Sequence, residues 1–204
     1  PEIALVWQVK EGDWLSTAQP LCHIHGNARN LLTAERTALN FMQMLSATAT
    51  NTYHYLQHLK DYQTRLLDTR KTLPGLRRAQ KYAVFCAGGV NHRFGLYDAY
   101  LIKENHIKAC GSIKNAVQEA RKHQQGLLVE VEVETLGEFT EALAAKPERI
   151  LLDNFTLEML RKAVDLNQPK ICELEASGGI HLKNLKEIAQ TGVDYISIGS
   201  LTKS

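Results

Sequence analysis

The spacing of apolar residues changes as the chain is followed from its start. Residues 1–32 carry short apolar runs separated by turns: Ile3–Val9 is a strand candidate, Glu11-Gly12-Asp13 a turn, and Leu21–Ile24 a second strand candidate. From Thr33 the period becomes helical, with Ala34, Ala38, Phe41, Met42, Leu45 and Ala49 on one face. Thr33 is the expected N-cap, and Glu35 suits the positive end of the helix dipole. A helical stretch around Tyr53–Leu59 continues the same pattern. No Pro- or Gly-rich linker separates the two regimes, so residues 1–32 and 33–204 are expected to dock together.

Beyond this helix the chain alternates between strand and helix. Strands are predicted at Arg65–Asp68, Ala99–Lys103, Leu127–Val133, Arg149–Asp153, Ile171–Ala176 and Tyr195–Ile198. Helices are predicted near Pro74–Ala87, Ser112–His123, Thr135–Ala145, Thr156–Leu166 and Leu182–Gln190. Pro74 fits a first helical position, and Gly88-Gly89 fits a helix stop. Such alternation gives βα units and a parallel sheet, closed as a barrel or open and doubly wound. In either case ligands bind beyond the C-terminal ends of the strands.

Polar residues collect at those ends. They are Asp68-Thr69-Arg70-Lys71-Thr72, Lys103-Glu104-Asn105-His106, Asp153-Asn154, Ser177-Gly178-Gly179 and Gly199-Ser200, with Asn91-His92-Arg93 in a preceding loop. The strand at 127–133 is unusual. A parallel strand covered by helices on both faces should be continuously apolar, yet Glu130, Glu132 and Glu134 occupy alternate positions. Either it is an edge strand with a wet face or it lines a polar barrel interior. In the second case Glu132 and Asp153 could share a Mg²⁺ ion, which takes few protein ligands together with substrate oxygens. Arg70, Lys71, Arg77, Arg93 and Lys103 fall on the same face, with Arg36 in the long helix. Arginine forks and lysine point charges in this number indicate an anionic substrate, and the two glycine-bearing loops suit a phosphate.

Composition narrows the classes. With 204 residues, 44% hydrophobic, and a formal charge of +2, the chain supports one core and a small appendage. It carries no basic excess that would suggest nucleic acid or a membrane surface. No apolar run reaches a membrane span. Cys22, Cys86, Cys110 and Cys172 are dispersed and expected as reduced thiols of a cytoplasmic protein. Cys22-His23-Ile24-His25 is expected to be an ordinary strand, not a zinc site, since its histidines share a face that the cysteine does not. Pro1 enters a strand-like run directly and the chain stops at Ser204 just after another strand, so both ends are expected to be cropped from a longer protein.

Several segments together resemble quinolinate phosphoribosyltransferases. They are Leu31-Leu32-Thr33-Ala34-Glu35-Arg36-Thr37-Ala38-Leu39-Asn40-Phe41, Asp68-Thr69-Arg70-Lys71-Thr72-Leu73-Pro74-Gly75-Leu76-Arg77 and Asn91-His92-Arg93-Phe94-Gly95-Leu96. Also similar are Leu101-Ile102-Lys103-Glu104-Asn105-His106, Leu152-Asp153-Asn154, Ser177-Gly178-Gly179-Ile180 and Gly199-Ser200-Leu201-Thr202-Lys203-Ser204. The order is the family's over nearly the whole chain. Departures, such as Ala87-Gly88-Gly89-Val90 and Ala47, avoid the candidate site.

The resemblance implies an incomplete α/β barrel preceded by the remnant, residues 1–32, of an open-faced β-sandwich domain. It implies a homodimer in which Arg36 reaches the neighbour's site. Thr69, Arg70, Lys71, His92, Arg93 and Lys103 would bind substrate from their own subunit, with Lys71, Lys103, Glu132 and Asp153 at the reacting centre. Glu132 and Asp153 would hold ribose hydroxyls and Mg²⁺. Ser177, Gly178, Gly179, Ile198, Gly199 and Ser200 would take the 5′-phosphate. The implied reaction joins quinolinate to phosphoribosyl pyrophosphate with loss of CO₂ and pyrophosphate, giving nicotinate mononucleotide. The alternatives are a nicotinate phosphoribosyltransferase, whose substrate has one carboxylate, a non-catalytic phosphate-binding barrel, and a barrel aldolase using Lys103 as a Schiff base.

Overall fold

A computed structural model of the chain describes residues 3–203; Pro1, Glu2 and Ser204 lie outside the described residues. An antiparallel pair, β1 (Ala4–Trp7) and β2 (Cys22–His25), precedes a 32-residue helix, α1 (Ala28–Leu59). Asn27, not Thr33, caps this helix: its side chain accepts from the Arg29 N–H at 3.1 Å. Thr33 lies inside the helix and its hydroxyl donates back to the Arg29 carbonyl. The helix runs unbroken through Tyr53–Leu59. Only its second half is embedded, through Thr48, Thr52, Tyr55 and Leu59.

The strands that follow are β3 (Arg65–Leu67), β4 (Ala99–Ile102), β5 (Leu128–Val133), β6 (Arg149–Asp153), β7 (Glu173–Ser177) and β8 (Tyr195–Ser197). The helices are α2 (Arg77–Cys86), α3 (Glu104–Cys110), α4 (Ile113–His123), α5 (Leu136–Ala145), α6 (Leu157–Leu166), α7 (Leu185–Ala189) and α8 (Ser200–Lys203). The six strands form one parallel sheet in the order β3-β8-β7-β6-β5-β4, and a parallel bridge joins Leu67 to Val90 outside β3. No pairing among the described residues joins β4 back to β3, so the barrel is incomplete.

Several helices differ from expectation, and strand ends shift by one or two residues. The second helix starts at Arg77, leaving Pro74 in the loop before it. The last long helix shrinks to Leu185–Ala189. α3 has no counterpart among the predicted helices: at seven residues it is too short to show a hydrophobic period, although Gly111, in the left-handed region at φ 83°, is a typical C-terminal stop.

The two sides of the sheet differ sharply. Leu66, Ile102, Val129, Val131, Val133, Ile150, Leu152, Leu174, Ala176, Ile196 and Ile198 point outwards into one core beneath the helices. The alternate residues point inwards, and most are polar: Glu130, Glu132, Arg149, Asp153, Glu173, Glu175, Ser177, Tyr195 and Ser197. The glutamates of β5 therefore line a polar interior and not an edge. Glu134 lies beyond the end of β5, exposed, with its N–H bonded to Glu138.

Candidate active site

At the mouth of the barrel Lys103, one residue past β4, forms an ion pair with Glu132 near the end of β5. Asp153 ends β6, accepts from Asn154 Nδ2 at 2.9 Å, and lies close enough to Glu132 to feel its charge. Burial raises the pKa of the Asp153 carboxyl and the Glu132 charge adds to the effect, while Lys103 and Lys71 oppose it. Two carboxylates are thus held against their own repulsion with two lysines around them. The arrangement has the charge and the oxygen donors to hold a hard divalent cation beside sugar hydroxyls.

Arg70, in the loop after β3, and Arg93, in the loop before β4, stand close to each other, and Arg93 also feels the Glu132 charge. Burial and the neighbouring Arg70 charge both lower the Arg93 pKa. The Nε atoms of Arg70 and Arg93 are buried with no hydrogen-bond partner among the described residues. Adjacent guanidiniums with unspent donors form a surface that an anion would stabilise. Thr69 accepts the Lys71 N–H at 3.0 Å, and the Lys71 carbonyl receives the Thr202 hydroxyl at 2.8 Å.

Two turns close the rim. Gly178 and Gly179 have φ of 91° and 61°, and a Cβ at Gly178 would stand 2.1 Å from Asn154 Oδ1. Glycine is therefore required there both for backbone shape and for space. Gly199 sits against the Lys71 side chain, where a Cβ would meet Cδ at 3.2 Å. Gly199 is followed directly by Ser200, the first residue of α8. Ile198 has its side chain in the outer core and its N–H on the Leu67 carbonyl, so it offers a ligand neither.

His92 is placed differently from the expected substrate contact. Its Nε2 lies 3.0 Å from Glu130 and 3.5 Å from Glu175, and Arg149 reaches Glu175 at 3.4 Å. Its Nδ1 accepts the Arg93 N–H at 2.8 Å. Both ring nitrogens are therefore engaged within the protein. Burial works against added charge here, but hydrogen bonds and charges from Glu130 and Glu175 outweigh it and raise His92 to about 10. Burial and the Glu175 charge likewise raise Glu130 to about 7. A proton added at Nδ1 displaces the Arg93 N–H, so the imidazolium that Glu130 and Glu175 favour forms at the cost of that one bond. His92, Glu130 and Glu175 are the one trio among the described residues with metal-like spacing. With Arg149 beside it, protons already balance the charge of this trio. Cys22–His25 form the strand β2, as expected.

Arg77 also leaves the expected cationic set. Its Nε and two terminal nitrogens donate to Thr72 Oγ1 and to the carbonyls of Phe94 and Arg70 at 3.0–3.2 Å. Arg36 is exposed on the first half of α1. Sequence reasoning missed Lys81 and did not give Asp68 a role. Both are fully buried, and they pair behind the arginine loops. A lysine inside an amphipathic helix gives no signal of burial in one sequence.

Residues 1–46 match the family model described as quinolinate phosphoribosyl transferase, N-terminal domain, and residues 48–204 match its C-terminal domain. The chain is 45% identical over 203 residues to a nicotinate-nucleotide pyrophosphorylase [carboxylating] of Mycobacterium leprae, covering 98% of this chain and 71% of that protein. It is 46% identical over 196 residues to a probable enzyme of the same name from Bacillus subtilis, covering 96% and 68%. A solved nicotinate-nucleotide pyrophosphorylase from Francisella tularensis superposes with a TM-score of 0.95 at 48% identity, over 99% of this chain and 72% of that one.

Proposed function

The chain belongs to the quinolinate phosphoribosyltransferase family, and from that membership we propose that it transfers phosphoribose from phosphoribosyl pyrophosphate to quinolinate, giving nicotinate mononucleotide, CO₂ and pyrophosphate. The observation that carries the reading is one barrel mouth that holds two groups: Arg70 and Arg93 with unspent Nε donors, and Glu132 and Asp153 among lysines. A planar acid with two carboxylates fits the first group. A sugar whose C1 gains positive charge fits the second.

The reaction breaks the bond between ribose C1 and pyrophosphate and forms one from C1 to the pyridine nitrogen. Glu132 and Asp153 hold the ribose hydroxyls and stabilise C1 as it becomes cationic. To take that role Glu132 exchanges part of its pairing with Lys103, which turns to the substrate carboxylate. Lys71, beside Gly199, faces the departing pyrophosphate. Arg70 and Arg93 clamp the acid so that its weakly nucleophilic nitrogen lines up with C1; such alignment is worth up to about 7–11 kcal/mol. Once the ring nitrogen is quaternary, its positive charge stabilises the electron pair left on C2 as the carboxylate departs as CO₂, and a proton then takes that pair. No side-chain nucleophile is needed. The backbones of Ser177–Gly179 and Gly199–Ser200 receive the 5′-phosphate.

Mg²⁺ is the cofactor of this reading. The repulsion between Glu132 and Asp153 supports it, and these two residues would hold the ion directly or through the sugar. When bound, it neutralises pyrophosphate charge. A homodimer is also part of the reading. Arg36, Leu32, Phe41 and Trp7 are exposed on the half of the molecule that packs least against the barrel, where a second copy would bring Arg36 to the neighbouring mouth. None of the described helices is long and apolar enough to cross a membrane, and we place the protein in the cytoplasm.

The test is an assay with quinolinate, phosphoribosyl pyrophosphate and Mg²⁺, following nicotinate mononucleotide, with nicotinate in parallel. Product from quinolinate alone supports the reading; product only from nicotinate replaces it with the monocarboxylate reaction. Arg36→Ala and Lys103→Ala subunits, each inactive alone, should regain about a quarter of parental activity when mixed at random. No recovery overturns the shared site.

A further inference from the structure

The residues that hold the two arginine loops in place come from one face of α2. Arg77, Gln80 and Lys81 lie at helical spacing i, i+3, i+4, so their side chains leave the helix on the same side. Each contacts two or more of the segments that form the mouth. Arg77 donates to the Arg70 carbonyl at 3.1 Å and the Phe94 carbonyl at 3.0 Å, bridging the loop of Arg70 and the loop of Arg93. Lys81 pairs with Asp68, just before Thr69, and donates to the His92 carbonyl at 2.8 Å. Asp68 in turn accepts the His92 N–H at 2.8 Å and Asn91 Nδ2 at 2.6 Å. Gln80 accepts the Leu73 N–H at 2.8 Å and donates to the Thr202 carbonyl at 2.9 Å; the Thr202 hydroxyl then reaches the Lys71 carbonyl.

We propose that Arg77, Gln80 and Lys81 are positioning residues that act through two separable connections, one setting the acid-binding arginines and the other setting the pyrophosphate side. Arg77 and Lys81 span from Arg70 to His92 and Arg93, and Arg77 also holds the Thr72 hydroxyl, next to the Leu73 N–H that Gln80 anchors. Gln80 spans from the segment after Lys71 to the segment after Gly199. Every bond assigned to the three side chains goes to a protein group. The division has a physical basis. A guanidinium fork can hold two carbonyls at a fixed separation, and a carboxamide can accept from one backbone and donate to another. A positive charge alone does neither. This inference rests on the function proposed above, because it assigns Arg70 and Arg93 to the acid and Lys71 to pyrophosphate.

The experiment compares Arg77→Lys and Gln80→Met with the parent protein, measuring KM for quinolinate and KM for phosphoribosyl pyrophosphate separately. Arg77→Lys keeps the charge but reaches one carbonyl at most. It should raise the quinolinate KM about tenfold or more, since small misplacements of binding groups are that costly, and raise the phosphoribosyl pyrophosphate KM by a clearly smaller factor, through the Thr72 bond alone. Gln80→Met should show the reverse pattern. A variant that only loosens the fold would move both constants together. Parallel shifts in both variants, or a wild-type quinolinate KM in Arg77→Lys, overturn the inference. If Gln80→Met does not fold, the two constants of Arg77→Lys decide alone. If the parent itself does not turn over quinolinate, the functional reading fails, and that result is distinct from parental turnover with parallel shifts.

Discussion

Two positions on β5, one pleat apart, carry the same side chain and have different roles. Glu132, at the mouth, is partly exposed and pairs with Lys103, which is 45% exposed. Glu130, two residues deeper, is fully buried and is packed with His92, Glu175 and Arg149. At the mouth water and substrate can compete for each charge, so the pair can open and exchange partners at small cost. In the interior nothing replaces a lost partner, and removing one member leaves the others charged and desolvated. Depth along the strand, not residue type, separates the chemical site from the part of the interior that supports it.

Cutting into the deep layer should produce the largest loss. Arg149→Ala leaves the buried pair Glu130 and Glu175 with His92 as their one bonded cation among the described residues and is expected to lower stability by about 3–5 kcal/mol, read by urea denaturation. A loss well under that would mean the deep cluster is as exchangeable as the mouth and would end the contrast. Next in size, Glu132→Ala and Asp153→Ala should each reduce kcat by about 10²–10³ while leaving quinolinate affinity, measured calorimetrically, nearly unchanged. A large loss of quinolinate affinity would place these carboxylates in the acid zone.

The deep cluster should also report on pH. His92 is raised from 6.5 to about 10 in the folded protein. A folded value above the unfolded one means that its stabilising contribution is complete below 6.5, declines as pH rises, and is gone above about 10. Denaturation midpoints across that range should fall in the parent and fall less in Glu175→Gln, where one carboxylate that holds the proton is neutral. An equal slope in both would detach the effect from this cluster. The smallest effect belongs to the mouth: Lys103→Ala should change stability by less than about 1 kcal/mol although it disables the site, as a melting curve beside an activity assay would show.

Much of this was legible in the chain. The βα alternation gave the parallel sheet, and the break in apolar continuity at Glu130 and Glu132 pointed to a polar interior before any strand was placed. The motif segments placed Arg70, Arg93, Lys103 and Asp153 at strand ends because a parallel sheet sends all those ends to one side. Other parts were not legible. A histidine next to an arginine in a loop suggests a pair of ligands, yet His92 turns inwards to Glu130 and Glu175, from two strands that are 45 residues apart in sequence. Arg77 resembled the other cations of its loop, but all its assigned bonds go to protein oxygens.

The sequence by itself determined the local and periodic features: helix and strand types, the direction of the sheet, the glycines that turns require, and the set of charges brought to one face. Those follow from backbone geometry and side-chain alternation, which act over a few residues. Only the tertiary structure decided which charges remain available to a ligand and which are consumed inside. Lys81 and Asp68, Arg77 and the Arg70 carbonyl, His92 and Glu175 are paired by packing. Electrostatic energy depends on distance and solvent access across the fold, and neither quantity is carried by a residue's place in the chain.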